Sequence, residues 1–163
     1  MKVYVYKIPL GDQVALVDRA DRELVSGFTW RLIGNGYVMT QRGKLYLYLH
    51  RLIAGAGPEE LVDHINRDPL DNRSCNLRIA SKSQNGANRA ADRRRLGTSS
   101  VHKGVSWQKD RSCWVAYIHV DGKTRFVGRY SNETAAALAY NRAAFEAWGE
   151  FARLNDVLEV MPT

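Results

Sequence analysis

The sequence predicts an α+β fold in two small parts, and three observations carry that prediction. Short strand-like runs separated by turn residues occur throughout, and only one long segment, 132–148, has a clear helical period. Between the two parts, residues 91–101 hold Arg93-Arg94-Arg95 and then Leu-Gly-Thr-Ser-Ser, with almost nothing to build a core from. The expected boundaries are a first domain at 1–90 with its informative core at about 61–90, a basic linker at 91–101, a second domain at 102–156 and a tail at 157–163.

In chain order, Val3 to Tyr6 and Val14 to Val17 read as strands around a Gly-Asp turn, and Asp18 to Trp30 holds a short helix. Gly34-Asn35-Gly36 is a turn. Tyr37 to Thr40 and Lys44 to Leu49 form a hairpin across Arg42-Gly43, and a helix from His50 to Ala54 stops at Gly55, Gly57 and Pro58. Leu61-Val62 runs as a strand into Asp63-His64. A loop rich in Asp, Asn and Arg follows, and Leu77-Arg78-Ile79 returns as the partner strand. Ser81 and Gln84 have capping-box spacing, so a helix begins there. In the second part, Gly104 to Gln108, Cys113 to Val120 and Lys123 to Tyr130 read as strands, the last two joined by the hairpin signal Asp121-Gly122. In the closing helix Ala136, Ala139, Ala143 and Ala147 share a face, small enough to lie close to a sheet.

Composition narrows the class of function. A chain of 163 residues with 45% hydrophobic content supports one modest core or two small ones, which excludes a large enzyme architecture. The net charge of +7 and pI near 9.6 favour a polyanionic partner over a neutral metabolite. Residues 82–129 carry 11 Lys and Arg against 3 Asp, a net +8 that leaves −1 for the rest of the chain. Cys75 and Cys113 lie far apart without a C-x-x-C pair, so both read as reduced thiols and a structural zinc site is not expected. No apolar run is long enough for a membrane span or a signal peptide, and the expected location is the cytoplasm.

A carboxylate beside an imidazole at Asp63-His64 is the starting point for chemistry. Strand alternation would point the two to opposite sides unless the strand ends there. With Ser81 as N-cap, Asn85 falls in the first turns of its helix, an end with open N–H groups that suit phosphate. Asp63 and Asn85 could give a hard divalent ion the one or two protein oxygens it needs. His64, titrating near neutrality, then suits a general base. His50 is a candidate second catalytic group, but a histidine opening a helix after an apolar strand reads as structural, and Asn72 and Asn88 read as loop and helix-surface groups.

These residues closely resemble the HNH family of ββα-metal endonucleases, in the branch found in phage and intron-encoded homing endonucleases. The matching text is Leu49-His50-Arg51-Leu52-Ile53, Val62-Asp63-His64-Ile65-Asn66, Asp71-Asn72-Arg73, Asn76-Leu77-Arg78, Gln84-Asn85 and Asn88-Arg89. The resemblance implies Asp63 and Asn85 as metal ligands, His64 as base and Asn76 as the residue that ties the loop. Asn85 stands where other members have histidine, so magnesium or manganese is expected in preference to zinc. Arg89, one turn on, would share the face of Asn85 and reach phosphate.

Residues 103–155 resemble the plant ethylene-response-factor (APETALA-type) DNA-binding domain, which also occurs in phage homing endonucleases. The resemblance rests on Gly104-Val105, the Trp114 strand, Val127-Gly128-Arg129-Tyr130, Ala139-Tyr140-Asn141 and Ala152-Arg153-Leu154-Asn155. It implies a three-stranded antiparallel sheet backed by one helix, with the sheet entering the major groove. By alternation, Trp114, Ala116 and Ile118 pack on the helix, while Val115, Tyr117 and His119 face DNA, as do Ser106 and Gln108 on the first strand and Thr124 and Phe126 on the third. Trp107 is assigned to the core. Several arginines of the plant pattern are absent, so its recognition sequence does not transfer. Lys103, Lys109, Arg111, Lys123, Arg125 and Arg129 remain as phosphate-contacting cations, and Arg93, Arg94 and Arg95 follow the backbone or a minor groove. The expectation is a monomeric, metal-dependent endonuclease of double-stranded DNA that nicks. The alternatives are a DNA-binding regulator on an inactive nuclease fold, and an RNA-binding protein that stacks bases on Tyr117 and Phe126.

Overall fold

In a computed structural model that describes residues 4–89 and 99–157, the chain divides into two compact units, Met1–Asn85 and Gly86–Thr163. The first unit is built from small antiparallel pieces. β1 (Val5–Leu10) and β2 (Gln13–Asp18) form a hairpin, and α1 (Arg22–Ser26) follows a single 3-10 turn. The short helix expected within 18–30 is thus Arg22–Ser26. Gly27 ends it, and the chain turns so that Trp30 is buried with its indole N–H donating to the Val25 carbonyl at 2.9 Å.

β3 (Arg31–Leu32), β4 (Val38–Arg42) and β5 (Leu45–Tyr48) make a three-stranded sheet, with α2 (Leu49–Ile53) directly after it. Ile8, Ala15, Val17, Val25, Trp30, Val38 and Leu49 form the core under these elements. β6 (Leu61–His64) pairs with β7 (Leu77–Ala80), and α3 (Lys82–Ala87) follows. The capping box forms: the Ser81 N–H donates to Gln84 Oε1 at 2.8 Å, and the Gln84 N–H to Ser81 Oγ at 3.2 Å.

The loop between β6 and β7 is fastened to the first hairpin. Leu16 donates its N–H to the Leu70 carbonyl and accepts from the Asn72 N–H, both at 2.7 Å, and the Ser74 N–H reaches Asp18 Oδ2 at 2.8 Å. Three hydrogen bonds thereby join segments more than fifty residues apart in sequence.

In the second unit, β8 (Val105–Gln108), β9 (Cys113–Val120) and β10 (Lys123–Tyr130) form one antiparallel sheet with β9 in the middle, covered by α4 (Glu133–Trp148). Asp121 and Gly122 both have positive φ, the condition for the tight turn between β9 and β10. Asn132 caps α4 by accepting from the Ala135 N–H at 2.7 Å.

The face α4 buries differs from the predicted alanine stripe. Ala136, Ala137, Tyr140, Ala144 and Trp148 are buried, whereas Ala139 and Ala143 lie at the flank and Ala147 is exposed. Two large rings bury far more apolar area than two methyl groups, and they rotate the helix toward themselves.

Two side-chain assignments on the sheet are also corrected. Trp107 shares the helix-side face with its partner Trp114, at 5.3 Å between ring centroids, but on the edge strand it remains 39% exposed. Val115 lies on the opposite face as predicted, yet it is only 2% exposed. It stands in the central strand between Ser106 and Arg129, and is too short to rise above them.

Candidate active site

β6 ends at His64, and the two residues predicted as the chemical pair, Asp63 and His64, are both buried, at 5% and 6% exposure. Asp63 stands directly opposite Arg78 of β7, whose Nε and Nη2 donate to Asp63 Oδ2 at 2.9 and 2.8 Å. The guanidinium offsets the cost of holding a carboxylate out of water. Sequence reading gave Arg78 no role, although pairing the two strands around the loop puts it across from Asp63.

His64 is oriented by Asn72, which is fully buried. The Asn72 amide donates from Nδ2 to the Pro69 carbonyl at 3.0 Å, so its Oδ1 is the acceptor, facing His64 Nε2 at 3.4 Å. A neutral His64 in that arrangement carries its proton on Nε2 and has its lone pair on Nδ1. Burial lowers the His64 pKa below its ordinary value, with the Asn72 contact and the neighbouring carboxylates Asp63, Asp68 and Asp71 opposing. Asn72 is thus a partner of His64 and not a plain loop residue.

Asn76 holds the loop. Its Oδ1 accepts from the Asn66 N–H at 2.9 Å, and its Nδ2 donates to Asn66 Oδ1 at 2.9 Å and to the Asp71 carbonyl at 2.7 Å. Asp71 in turn accepts both Arg73 Nε and Nη2 at 2.7 Å, and the Arg73 contact holds the Asp71 carboxyl below its usual range.

His50 belongs to the same cluster, which its structural assignment from sequence did not foresee. Its ring centroid lies 5.3 Å from that of His64 in an edge-on arrangement, 4.9 Å from Tyr37 and 5.7 Å from Tyr48. It is 8% exposed with Nδ1 buried and unpartnered, and burial, His64 and Arg51 lower its pKa to about 4. The available signal was the sequence Tyr48-Leu49-His50, which runs from the end of β5 into α2.

Asn85 lies half-buried in α3, its N–H on the Ser81 carbonyl at 2.9 Å. Among the described residues no group of three or more His, Cys, Asp and Glu could hold a metal. What the donor set does contain is hard oxygen, from the Asp63 carboxylate and the Asn85 amide. Oxygen donors of this type are what a magnesium-type ion takes when water and phosphate fill the rest of its shell.

Residues 47–87, which contain His50, Asp63, His64, Asn72, Asn76 and Asn85, match the family model for HNH endonuclease. Over 141 residues the chain is 35% identical to an uncharacterized HNH endonuclease of Acanthamoeba polyphaga mimivirus, covering 82% of this chain and 70% of that protein. The chain belongs to the HNH endonuclease family. It is also 33% identical over 95 residues to protein 3.8 of Escherichia phage T7, covering 58% of this chain and 74% of that one. No solved structure matches it. Family membership makes it a nuclease by class, as its sequence resemblance implied. No helix among the described residues is long and apolar enough to cross a membrane.

The remaining predicted DNA-contacting residues of this HNH family member fall mainly on the second unit. Register puts Ser106 and Gln108 of β8, Tyr117 and His119 of β9, and Thr124 and Phe126 of β10 on the sheet face away from α4. Tyr117 and Phe126 pack at 5.5 Å, and His119 Nδ1 lies 3.2 Å from Thr124 Oγ1. A bulge at Val127 shifts the parity of β10, so that Arg129 joins this face with its guanidinium 5.1 Å above the Phe126 ring. Lys109, Arg111, Lys123 and Arg125 are exposed, and Arg89 is exposed after α3. Lys103 is half-buried: its ammonium donates to the Ala87 and Arg89 carbonyls, and burial lowers its pKa to about 8. Arg93, Arg94 and Arg95 lie outside the described residues.

Proposed function

We propose that this protein is a metal-dependent, site-directed endonuclease of double-stranded DNA, of the homing type, in which His64 activates water. The observation that carries the reading is a buried imidazole whose Nε2 faces the Asn72 amide oxygen, a contact that favours the neutral tautomer with its lone pair on Nδ1. Water attacks phosphorus, its proton passes to His64 Nδ1, and one phosphorus–oxygen ester bond breaks with its electron pair on the departing oxygen.

Asp63 and Asn85 would hold a magnesium or manganese ion, which when bound supplies positive charge for the phosphate and the leaving oxygen. Arg78 aims Asp63 through two hydrogen bonds, and Asn76 fixes the loop that carries Asn72. In the second unit, the likeness to the ethylene-response-factor domain supports a sheet that enters the major groove. On this reading Ser106, Gln108, Tyr117, His119, Thr124 and Phe126 face bases, while Lys109, Arg111, Lys123, Arg125 and Arg89 meet phosphate. A monomer with one centre nicks, and the protein works in the cytoplasm.

The test is cleavage of supercoiled DNA with and without magnesium or manganese, by wild type and His64→Ala at matched DNA occupancy. Metal-dependent nicking lost in the variant is the expected result. Binding without cutting by either protein would refute the reading and favour a regulator on a nuclease scaffold.

A further inference from the structure

The sheet β3–β4–β5 has one face in the core and a second that is buried at Met39 and half-buried at Tyr48 but open at Gln41 and Tyr46. Val38 is fully buried, and Leu32 and Leu47 pack on the core beneath it. On the other face, register aligns Arg31 with Met39, Gln41 with Tyr46, and Met39 with Tyr48. Tyr48 sits against His50 and Tyr37, whose rings border His64 at 5.3 and 6.0 Å. This face is therefore continuous with the candidate active site.

Moving outward from Tyr48, the face becomes exposed and keeps a large ring. Tyr46 is 58% exposed, and Arg31, exposed beside it, donates to Gln41 at 3.0 Å. Arg42 and Lys44 are exposed at the hairpin tip. From Leu24 to Pro58 the chain holds four Lys and Arg and no Asp or Glu, in a protein with 17 acids. A large exposed ring beside the Arg31 guanidinium, in a stretch of chain that holds cations and no acids and leads to a hydrolytic histidine, suits a polyanion with sugar surfaces between its charges. Tyr46 lies two residues beyond Tyr48, roughly 7 Å along the strand. That is about two base-pair rises of duplex.

We infer that this face, through Tyr46 and Arg31, is a second DNA-binding surface, which holds the sugar-phosphate backbone beside the scissile bond without reading sequence. The inference rests on the nuclease reading for its orientation toward His64, but binding is measured without cutting. Backbone contacts of this kind weaken all sequences alike when removed, and each lost cation lowers the dependence of affinity on salt by about one counterion.

The experiment uses the full chain in EDTA, with fluorescence anisotropy of several unrelated duplexes over a range of salt. It compares wild type with Arg31→Ala, Tyr46→Ala and Lys7→Ala, the last removing an exposed charge from β1, all checked for an unchanged Tm. Arg31→Ala should weaken every duplex about fivefold and reduce the salt slope by about one. Tyr46→Ala should weaken binding about tenfold with the slope unchanged, and Lys7→Ala should stay within about twofold of wild type. Wild-type affinity and slope in both face variants, or an equal loss in Lys7→Ala, would overturn the proposal. Magnesium added afterwards tests the nuclease reading separately. Face variants that lose binding in a protein that never cuts leave this surface standing and remove only the hydrolytic role. Normal binding by variants of a protein that does cut removes only the surface.

Discussion

Protonation of His50 should destabilise the first unit in mild acid, by an amount its surroundings set. The imidazole is 8% exposed, has no hydrogen-bond partner on Nδ1 and packs against His64, with Arg51 following it in α2. Burial and these neighbours bring its pKa from 6.5 to about 4 in the folded state. Between those values the unfolded chain binds the proton and the folded chain does not, so stability rises with pH. It is complete above 6.5 and is lost as pH falls toward 4. The shift corresponds to about 3 kcal/mol between pH 7 and pH 4, with a steepest slope of about 1.4 kcal/mol per pH unit. His50→Phe keeps a ring in the cluster and removes the titration. Hydrogen exchange read by mass spectrometry on peptides from β2 and β4, corrected for intrinsic rates, reports the opening free energy of this unit. Wild type should lose about 3 kcal/mol more than His50→Phe over that range, since His64 titrates in both chains. Parallel losses in the two proteins would refute the assignment of a buried, neutral His50.

Asn72→Ala removes the acceptor from His64 Nε2 and the donor from the Pro69 carbonyl. It should cost about 2 kcal/mol in thermal unfolding and reduce single-turnover cleavage at least about tenfold, with DNA affinity unchanged. Gly104→Ala places a Cβ against the Tyr140 ring at a φ of +74°, where side chains are strained. It should lower stability by at least about 2 kcal/mol, visible as a drop in Tm of roughly 8 °C or more.

Sequence by itself determined the class of fold, the strands around Asp63 and His64, the capped start of α3 and the Asp121-Gly122 hairpin. Those features rest on local physics: side-chain alternation, cap chemistry and the φ > 0 demand of a tight turn act over a few residues. Tertiary structure alone decided which face α4 buries, because Tyr140 and Trp148 outweigh an alanine stripe only once a sheet lies opposite. It brought His50 beside His64 and Arg78 onto Asp63, and it set Asn72 against both His64 and the first hairpin. It also placed Arg129 over Phe126, since one bulged residue inverts the parity that alternation assumes. Contacts of this kind depend on strand register and loop closure, which are fixed by the summed burial of residues distant in sequence and by no short pattern within it.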